Sequence, residues 1–272
     1  MPVITISSDI GNTDFLIGAI KGQIFSAIPG CQIADISHQF SPTNYQQAAY
    51  ICKNAFKYYP DNTLHLVLLD FFAGFPVQVL LAEYKKQYII CADNGILTMI
   101  TGEKPKTVFS IPVQPHSHSL MDYTEAIIDC VQKLIQNNTL DKKLKQVSRI
   151  VEKFPMRASS GANWIDSQII YIDQFENVVL NLSKEEFEEV RQNRKFRIML
   201  MRDREDISEI SQSYASVPEG EKLVWFNSAG NLELAVNKGN MAALFGLRGF
   251  SDSNPKLQNK LLYKNVRIIF ED

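Results

Sequence analysis

The first arginine of this 272-residue chain is Arg149, so the first half carries no guanidinium. Basic charge is not in surplus overall: 28 lysines and arginines face 30 acids, for a net charge of −2. That balance gives no electrostatic case for a nucleic-acid partner or an anionic membrane. The one basic run, Lys142-Lys143-Leu144-Lys145, reads as a solvated helix face. Cysteine is scarce and scattered. Cys31, Cys52, Cys91 and Cys130 form no Cys-x-x-Cys pair, which argues against zinc and for reduced, buried thiols. Histidine is equally sparse. His116 and His118 are the only close pair, and no third ligand stands near them, so no metal is expected. No run approaches the ~20 apolar residues of a membrane span. No basic leader with a signal-peptide core precedes Val3, so a cytoplasmic protein is expected.

The common phosphate and nucleophile motifs are missing as well. There is no Gly-x-Gly-x-x-Gly, no P-loop and no Gly-x-Ser-x-Gly elbow. Ser7-Ser8-Asp9-Ile10-Gly11 lacks the second aspartate, two residues on, that an aspartyl-nucleophile phosphohydrolase requires.

What is present is an alternation of strands and helices. Val3 to Ser8 is a strand-like run that ends at Asp9. Ile17, Ile20, Ile24 and Ile28 then recur at helical spacing, and Pro29-Gly30 stops them. Thr43 and Gln46 form a capping-box pattern at the head of a second helix. Leu64 to Leu69 is a continuous apolar run ended by Asp70, the pattern of a strand buried on both faces. Val79 to Ala82 and Tyr88 to Cys91 give two further strands, and Met121 to Ile135 is a helix. This predicts an α/β N-terminal domain with a largely parallel sheet over residues 1–154. Residues 155–163 are small and polar and read as a linker. From 164 to 272, six short runs between Gln168 and Phe270 are separated by turns, with one helix opened by the box Ser183-Lys184-Glu185-Glu186. That half predicts a smaller β-barrel or sandwich. Arg202 to Glu221 is polar and reads as a loop.

Acids and amides gather where strands end. Open α/β sheets bind ligands outside the carboxyl ends of their strands. Asp9 and Asp70 stand there, and a carboxylate at such an edge can accept two hydrogen bonds from vicinal hydroxyls. Asp93-Asn94-Gly95 follows a third strand and is also an ordinary turn sequence. Asp173 to Asn177 and Asn227 to Asn231 separate strands in the second half, and either could be a plain hairpin loop.

Taken in order, Ser8-Asp9-Ile10-Gly11, Asp35-Ile36-Ser37-His38, the Asp70 strand end, Ala92-Asp93-Asn94-Gly95-Ile96-Leu97, Ile172-Asp173-Gln174-Phe175-Glu176-Asn177 and Asn227-Ser228-Ala229-Gly230 resemble the SAM hydroxide adenosyltransferase family, related to the fluorinase and chlorinase enzymes. The resemblance runs along almost the whole chain. It implies an N-terminal α/β domain, a C-terminal β-barrel and a homotrimer whose sites lie between neighbouring subunits. It implies S-adenosylmethionine (SAM) as substrate, with no cofactor, and adenosine and L-methionine as products of water attack at C5′. Asp9 would hold the ribose hydroxyls, and Asp173 with Ser228 the amino and carboxylate groups of methionine. Asn177 and the stretch around Asn237 would face the adenine. Phe71 and Phe175 complete the implied substrate-binding set. Asp70 would be the carboxylate beside the attacking water, where the halogenases carry tyrosine.

The chain departs from the family pattern at several of these places. The arginine expected seven residues after Asp70 is Val77. The family's histidine precedes an aspartate by three residues. Counting back from Asp122 gives Ser119, with the candidate His118 beside it. Glu176 replaces a glycine, and Ala229 and Val236 stand where fluorinases carry arginines. Three expectations follow: a SAM hydrolase, a non-catalytic or retuned member that binds SAM or adenosine, or the same fold with a different nucleophile, halide being disfavoured by Asp70.

Overall fold

A computed structural model of the chain describes residues 1–74, 76–114, 118–137, 144–200, 206–247 and 265–271. The chain divides into two compact units, Met1–Pro155 and Met156–Asp272. His116, Lys142, Lys143 and the start of the polar loop at 202–205 lie outside the described residues.

In the first unit, β1 (Val3–Ser8), α1 (Leu16–Ala27), β2 (Gln32–Ser37), α2 (Tyr45–Phe56) and β3 (Leu64–Leu68) are followed by β4 (Val79–Tyr84), β5 (Gln87–Ala92), α3 (Ile96–Thr101), β6 (Val108–Ile111), α4 (Leu120–Asn137) and β7 (Lys145–Gln146). The strands form one sheet in the order β2-β1-β3-β5-β4-β6-β7. β1 pairs with β2 and with β3, and β3 with β5, all parallel. β4, β6 and β7 complete the sheet with antiparallel pairs. Lys145 therefore lies in an exposed strand, not on the helix face that its neighbouring lysines suggested.

Period-two alternation sorts the sheet residues. Ile4, Ile6, Leu64, Leu66 and Leu68 pack with Ile17, Ile20 and Ile24 of α1 and Ile127, Val131 and Leu134 of α4. Val67, Leu69, Leu80 and Ile89 pack with Ala48, Cys52 and Phe56 of α2 and Ile96, Leu97 and Ile100 of α3. Each fully buried Leu or Ile contributes about 1.5–3 kcal/mol of transfer free energy, so this three-layer core dominates the unit's stability. Val77 belongs to the first of these clusters and is buried. An arginine there would strand its charge in hydrocarbon unless the local packing differed.

The strand order matters for function. β1 is flanked by β2 on one side and β3 on the other, so the chain leaves β1 in one direction and later crosses to the opposite side. In open α/β sheets such a reversal marks where ligands bind, here the carboxyl ends of β1 and β3.

The second unit contains β8 (Ser159–Ser160), β9 (Trp164–Ile172), β10 (Val178–Ser183), α5 (Lys184–Arg191), β11 (Lys195–Met199), β12 (Lys222–Phe226), β13 (Asn231–Val236), α6 (Met241–Leu244) and β14 (Asn265–Glu271). Its antiparallel order is β11-β14-β9-β10-β13-β12, with β8 added to β9 from within the stretch read as a linker. Register shifts in β10 against both neighbours bend the sheet into a half-barrel. Phe187 of α5 fills it, meeting Phe196 and Phe226 edge-on at 5.2 and 5.6 Å. The Ser183–Glu186 capping box is formed in both directions, as the sequence predicts. Among the described residues, no helix is long and apolar enough to cross a membrane, and no group of three His, Cys, Asp or Glu could hold a metal ion. All four cysteines are free and buried.

Candidate active site

β1 and β3 run parallel with Ser8 opposite Leu68, so the residues that follow them emerge side by side. Asp9 and Asp70 are joined directly: the main-chain N–H of Asp70 donates to Asp9 Oδ2 at 2.8 Å. Desolvation pushes the Asp9 carboxyl above its usual range. The Asp70 amide works against that rise, and the nearby Asp70 charge adds to it.

The platform beneath Asp9 is polar and tightly tied. Ser8 Oγ lies 2.8 Å from His38 Nδ1, and Asp35 Oδ1 lies 3.1 Å from His38 Nε2. Lys21 Nζ bonds the other Asp35 oxygen at 2.6 Å. Partial burial raises the Asp35 carboxyl, but the Lys21 and His38 contacts outweigh it and hold the group below its ordinary value. The Gly11 N–H donates to the His38 carbonyl at 2.7 Å, which fixes the turn after Asp9 against the end of β2. Asp35 and His38 thus hold the loop that carries Asp9.

Asp70 sits at φ +43°, the left-handed region that a non-glycine residue enters only when held. Asn94 holds it, donating through Nδ2 to the carbonyls of Leu69 at 2.8 Å and Asp70 at 3.0 Å. Asn94 Oδ1 accepts the Ile96 N–H, so the Asp93-Asn94-Gly95 turn serves as the N-terminus of α3. Gly95 stands at φ +97°, and a Cβ there would lie 2.6 Å from Lys153 Cγ, so both backbone and space require glycine. Asp93 Oδ1 accepts the Val151 N–H at 2.7 Å. Thr98 Oγ1 donates to the Lys153 carbonyl at 2.6 Å and accepts the Lys153 N–H at 2.9 Å. The segment carrying Lys153 is thereby fastened beside this turn.

The helix predicted to begin with a Thr43–Gln46 box is capped one residue later. Asn44 is the N-cap, and its side chain accepts the Gln47 N–H at 3.0 Å. The shift makes Tyr45 the first helical residue, and its hydroxyl donates to Asp70 Oδ2 at 2.8 Å. The residues that follow Asp70 form an aromatic cluster with Tyr123. Phe71 packs edge-on to Phe72 and Tyr123 at 5.5 Å each. Phe71 is buried and Phe72 half-exposed, so only Phe72 presents a face to solvent.

His118 is exposed at the head of α4. Its N–H and that of Ser119 both donate to Asp122 Oδ2 at 3.0 Å, and Ser119 Oγ accepts the Asp122 N–H. This is a reciprocal helix cap.

In the second unit, Asp173 organises the β9–β10 loop. Its Oδ1 accepts the N–H groups of Phe175 and Asn177, and its Oδ2 accepts Asn177 Nδ2 at 2.9 Å. Phe175 is exposed at the tip. Glu176 occupies φ +65°, the conformation its family glycine would adopt at no steric cost. Asn177 Nδ2 also reaches the Tyr214 hydroxyl at 3.3 Å. That hydroxyl donates to the buried Glu233 at 2.6 Å, and Trp225 Nε1 and Asn227 Nδ2 donate to the same carboxylate at 2.9 Å each. One network therefore links the β9–β10 loop to the β12–β13 turn, where Ser228 is exposed. Asn237 is engaged elsewhere, with Nδ2 donating to the Val217 carbonyl at 2.8 Å.

The sequence reading missed Tyr45, Lys153, Tyr214, Trp225 and Glu233. Only Glu233 left a trace, as an acid inside the otherwise apolar run Leu232 to Val236.

Comparison with known proteins identifies the family and the fold. Residues 4–144 match the SAM hydroxide adenosyltransferase N-terminal domain, and residues 167–252 match the C-terminal domain of the same family. An (R)-S-adenosyl-L-methionine hydrolase of Methanocaldococcus jannaschii is 25% identical over 194 residues, spanning 68% of this chain and 69% of the relative. A protein of the same name from Thermus thermophilus is 21% identical over 257 residues, 89% of this chain and 94% of the relative. The fold is similar to that of an uncharacterized conserved protein from Thermotoga maritima, with a TM-score of 0.78 at 20% identity across 98% of this chain and 99% of the other.

Proposed function

The chain belongs to the SAM hydroxide adenosyltransferase family, and from that premise we propose that it hydrolyses SAM to adenosine and L-methionine. The observation that carries this reading is the bonded pair Asp9 and Asp70 at the switch point of the parallel sheet. Asp9 accepts the ribose hydroxyls. Asp70 takes the proton of the attacking water. The new bond joins that oxygen to C5′, the C5′–S bond breaks, and its electron pair stays on sulfur as neutral methionine.

A sulfonium is already an activated leaving group, so the work left to the protein is alignment and proton removal. Phe71, Phe72 and Tyr123 supply an apolar wall beside Asp70, suited to a cationic sulfonium and a partly desolvated nucleophile. Asp173 and Ser228 take the methionine end. Phe175, Asn177 and Asn237 serve the adenine end. His118, close in sequence to Tyr123, is the second catalytic candidate. The assembly is a homotrimer in the cytoplasm, and free, buried thiols suit a reducing compartment. The relatives' names favour turnover over binding alone.

The test is to incubate the purified protein with each sulfonium epimer of SAM and follow adenosine and methionine by chromatography, with calorimetry for binding. Turnover that falls by about 10²–10⁴ in Asp70→Asn while binding persists supports the reading. Tight binding with no product from the unaltered protein overturns it. A monomer in sedimentation removes the trimer.

A further inference from the structure

Asp70 has a partner that none of its strand-end motifs contains. Tyr45 enters from α2, and its hydroxyl donates to Asp70 Oδ2 at 2.8 Å. That bond engages one carboxylate oxygen, Oδ2. The Lys153 ammonium lies over the Tyr45 ring, 3.7 Å from its centroid.

Both groups are fixed by their surroundings. The Asn44 cap sets the first turn of α2. The Thr98 hydroxyl grips the backbone of Lys153 from both sides, and the lysine stem packs over Gly95. Tyr45 thus meets the Asp70 carboxylate on one side and the Lys153 ammonium at its ring face.

We propose that Tyr45, backed by Lys153, is the positioning residue for Asp70, holding Oδ2 so that Oδ1 faces the attacking water. The inference rests on the hydrolase reading. Its physics is local. A cation over an aromatic face draws electron density from the ring, which makes the phenol a better donor. A donor on one carboxylate oxygen fixes the group's orientation and leaves the other oxygen to accept the water's proton. Burial and the Asp70 bond push the Tyr45 phenol well above its usual range, so it stays protonated and acts as donor, not base. The unit spanning Met1–Pro155 has a single arginine, Arg149, and Lys153 supplies the cation over the Tyr45 ring. The charged groups facing Tyr45 are Asp70 and Asp9 on the strand ends and Lys153 above the ring.

The test uses Tyr45→Phe, Lys153→Met and Lys153→Arg in the full chain, with kcat and KM for SAM hydrolysis, binding by calorimetry and thermal melting as a check on folding. Tyr45→Phe should lower kcat by about tenfold or more with binding within about twofold. Lys153→Met should lower kcat by about three- to tenfold, and Lys153→Arg should keep most of it. Lys153 is exposed, so its variants carry the test if Tyr45→Phe folds poorly. An unchanged kcat in Tyr45→Phe, or equal losses of kcat and binding, overturns the positioning role while leaving the hydrolase reading intact. No adenosine from the unaltered protein overturns the hydrolase reading, and this inference with it.

Discussion

The main-chain N–H of Asp70 donates to Asp9 Oδ2 at 2.8 Å, so the carboxylate proposed to hold the ribose also sets the backbone from which the proposed general base springs. Asp9→Ala and Asp9→Asn separate the two roles. Alanine removes both the charge and the acceptor, and should cost about 2–4 kcal/mol of SAM affinity together with a lower melting temperature. Asparagine keeps an acceptor for the Asp70 amide, so affinity should fall with a smaller change in melting. Calorimetry and thermal melts of the two variants check this. Equal behaviour in both assays removes the shared role.

The Asp9 carboxyl also gives binding a pH dependence. Its ionisation is pushed up, chiefly by desolvation. A ribose hydroxyl donates best to the ionised form, so affinity should be full at neutral pH and weaken as pH falls through the raised value. The loss should begin above the ordinary aspartate range of about 4. Dissociation constants measured between pH 4 and 7 test it, and Asp9→Asn should flatten the curve.

The fold was legible because its signals are periodic. The alternation in Val3 to Ser8 and the stripe Ile17, Ile20, Ile24 state which faces are buried. Asp9, Asp70 and Asn94 were legible because strand ends in a parallel sheet share an edge. Tyr45 was not, since its role depends on a cap displaced by one residue from Thr43 to Asn44. That step decides whether position 45 is a flank or the first turn of the helix. Lys153 was hidden for another reason: it reaches the Tyr45 ring from 108 positions further along the chain, and no local pattern encodes such a contact. Glu233 was not legible because its three donors come from Tyr214, Trp225 and Asn227, which no single local pattern brings together.

Glu233→Gln should expose how far the second unit depends on that network. A buried carboxylate accepting three donors becomes an amide whose NH₂ must face a donor in place of an acceptor. Chemical denaturation should show a loss of about 1–3 kcal/mol. The ring of Trp225 lies 4.7 Å from that of Tyr214, so tryptophan emission should change as well. Because Asn177 bonds both Asp173 and Tyr214, SAM affinity should weaken in the same variant. Unchanged stability and emission would remove Glu233 as the organiser of the loop and turn.

His65 predicts acid sensitivity away from the site. It is wholly buried in β3, stacked on Phe56 at 3.6 Å. Nδ1 lies 2.8 Å from Thr5 Oγ1, and Nε2 lies 3.2 Å from Gln87 Oε1. Gln87 Nε2 donates to the carbonyls of Phe56 and Tyr59, so its Oε1 is an acceptor and must meet a proton on His65 Nε2. Nδ1 is then the acceptor for the Thr5 hydroxyl. A second proton would have to sit on Nδ1, against that hydroxyl and away from water. Desolvation accordingly pushes the histidine down from 6.5 to about 4, the Gln87 bond opposing it only weakly. Between those values the unfolded chain binds a proton that the folded chain refuses, so stability rises with pH across the window. Its contribution is full above about 6.5 and lost as pH falls toward about 4, a span of roughly 3 kcal/mol. Asp35 and Asp166, both held below the ordinary carboxylate range, contribute their losses at lower pH. Urea denaturation at half-unit steps from pH 4 to 7.5 should show the slope, and His65→Gln should remove most of it while lowering stability at pH 7. A slope that persists in His65→Gln would place the titrating group elsewhere.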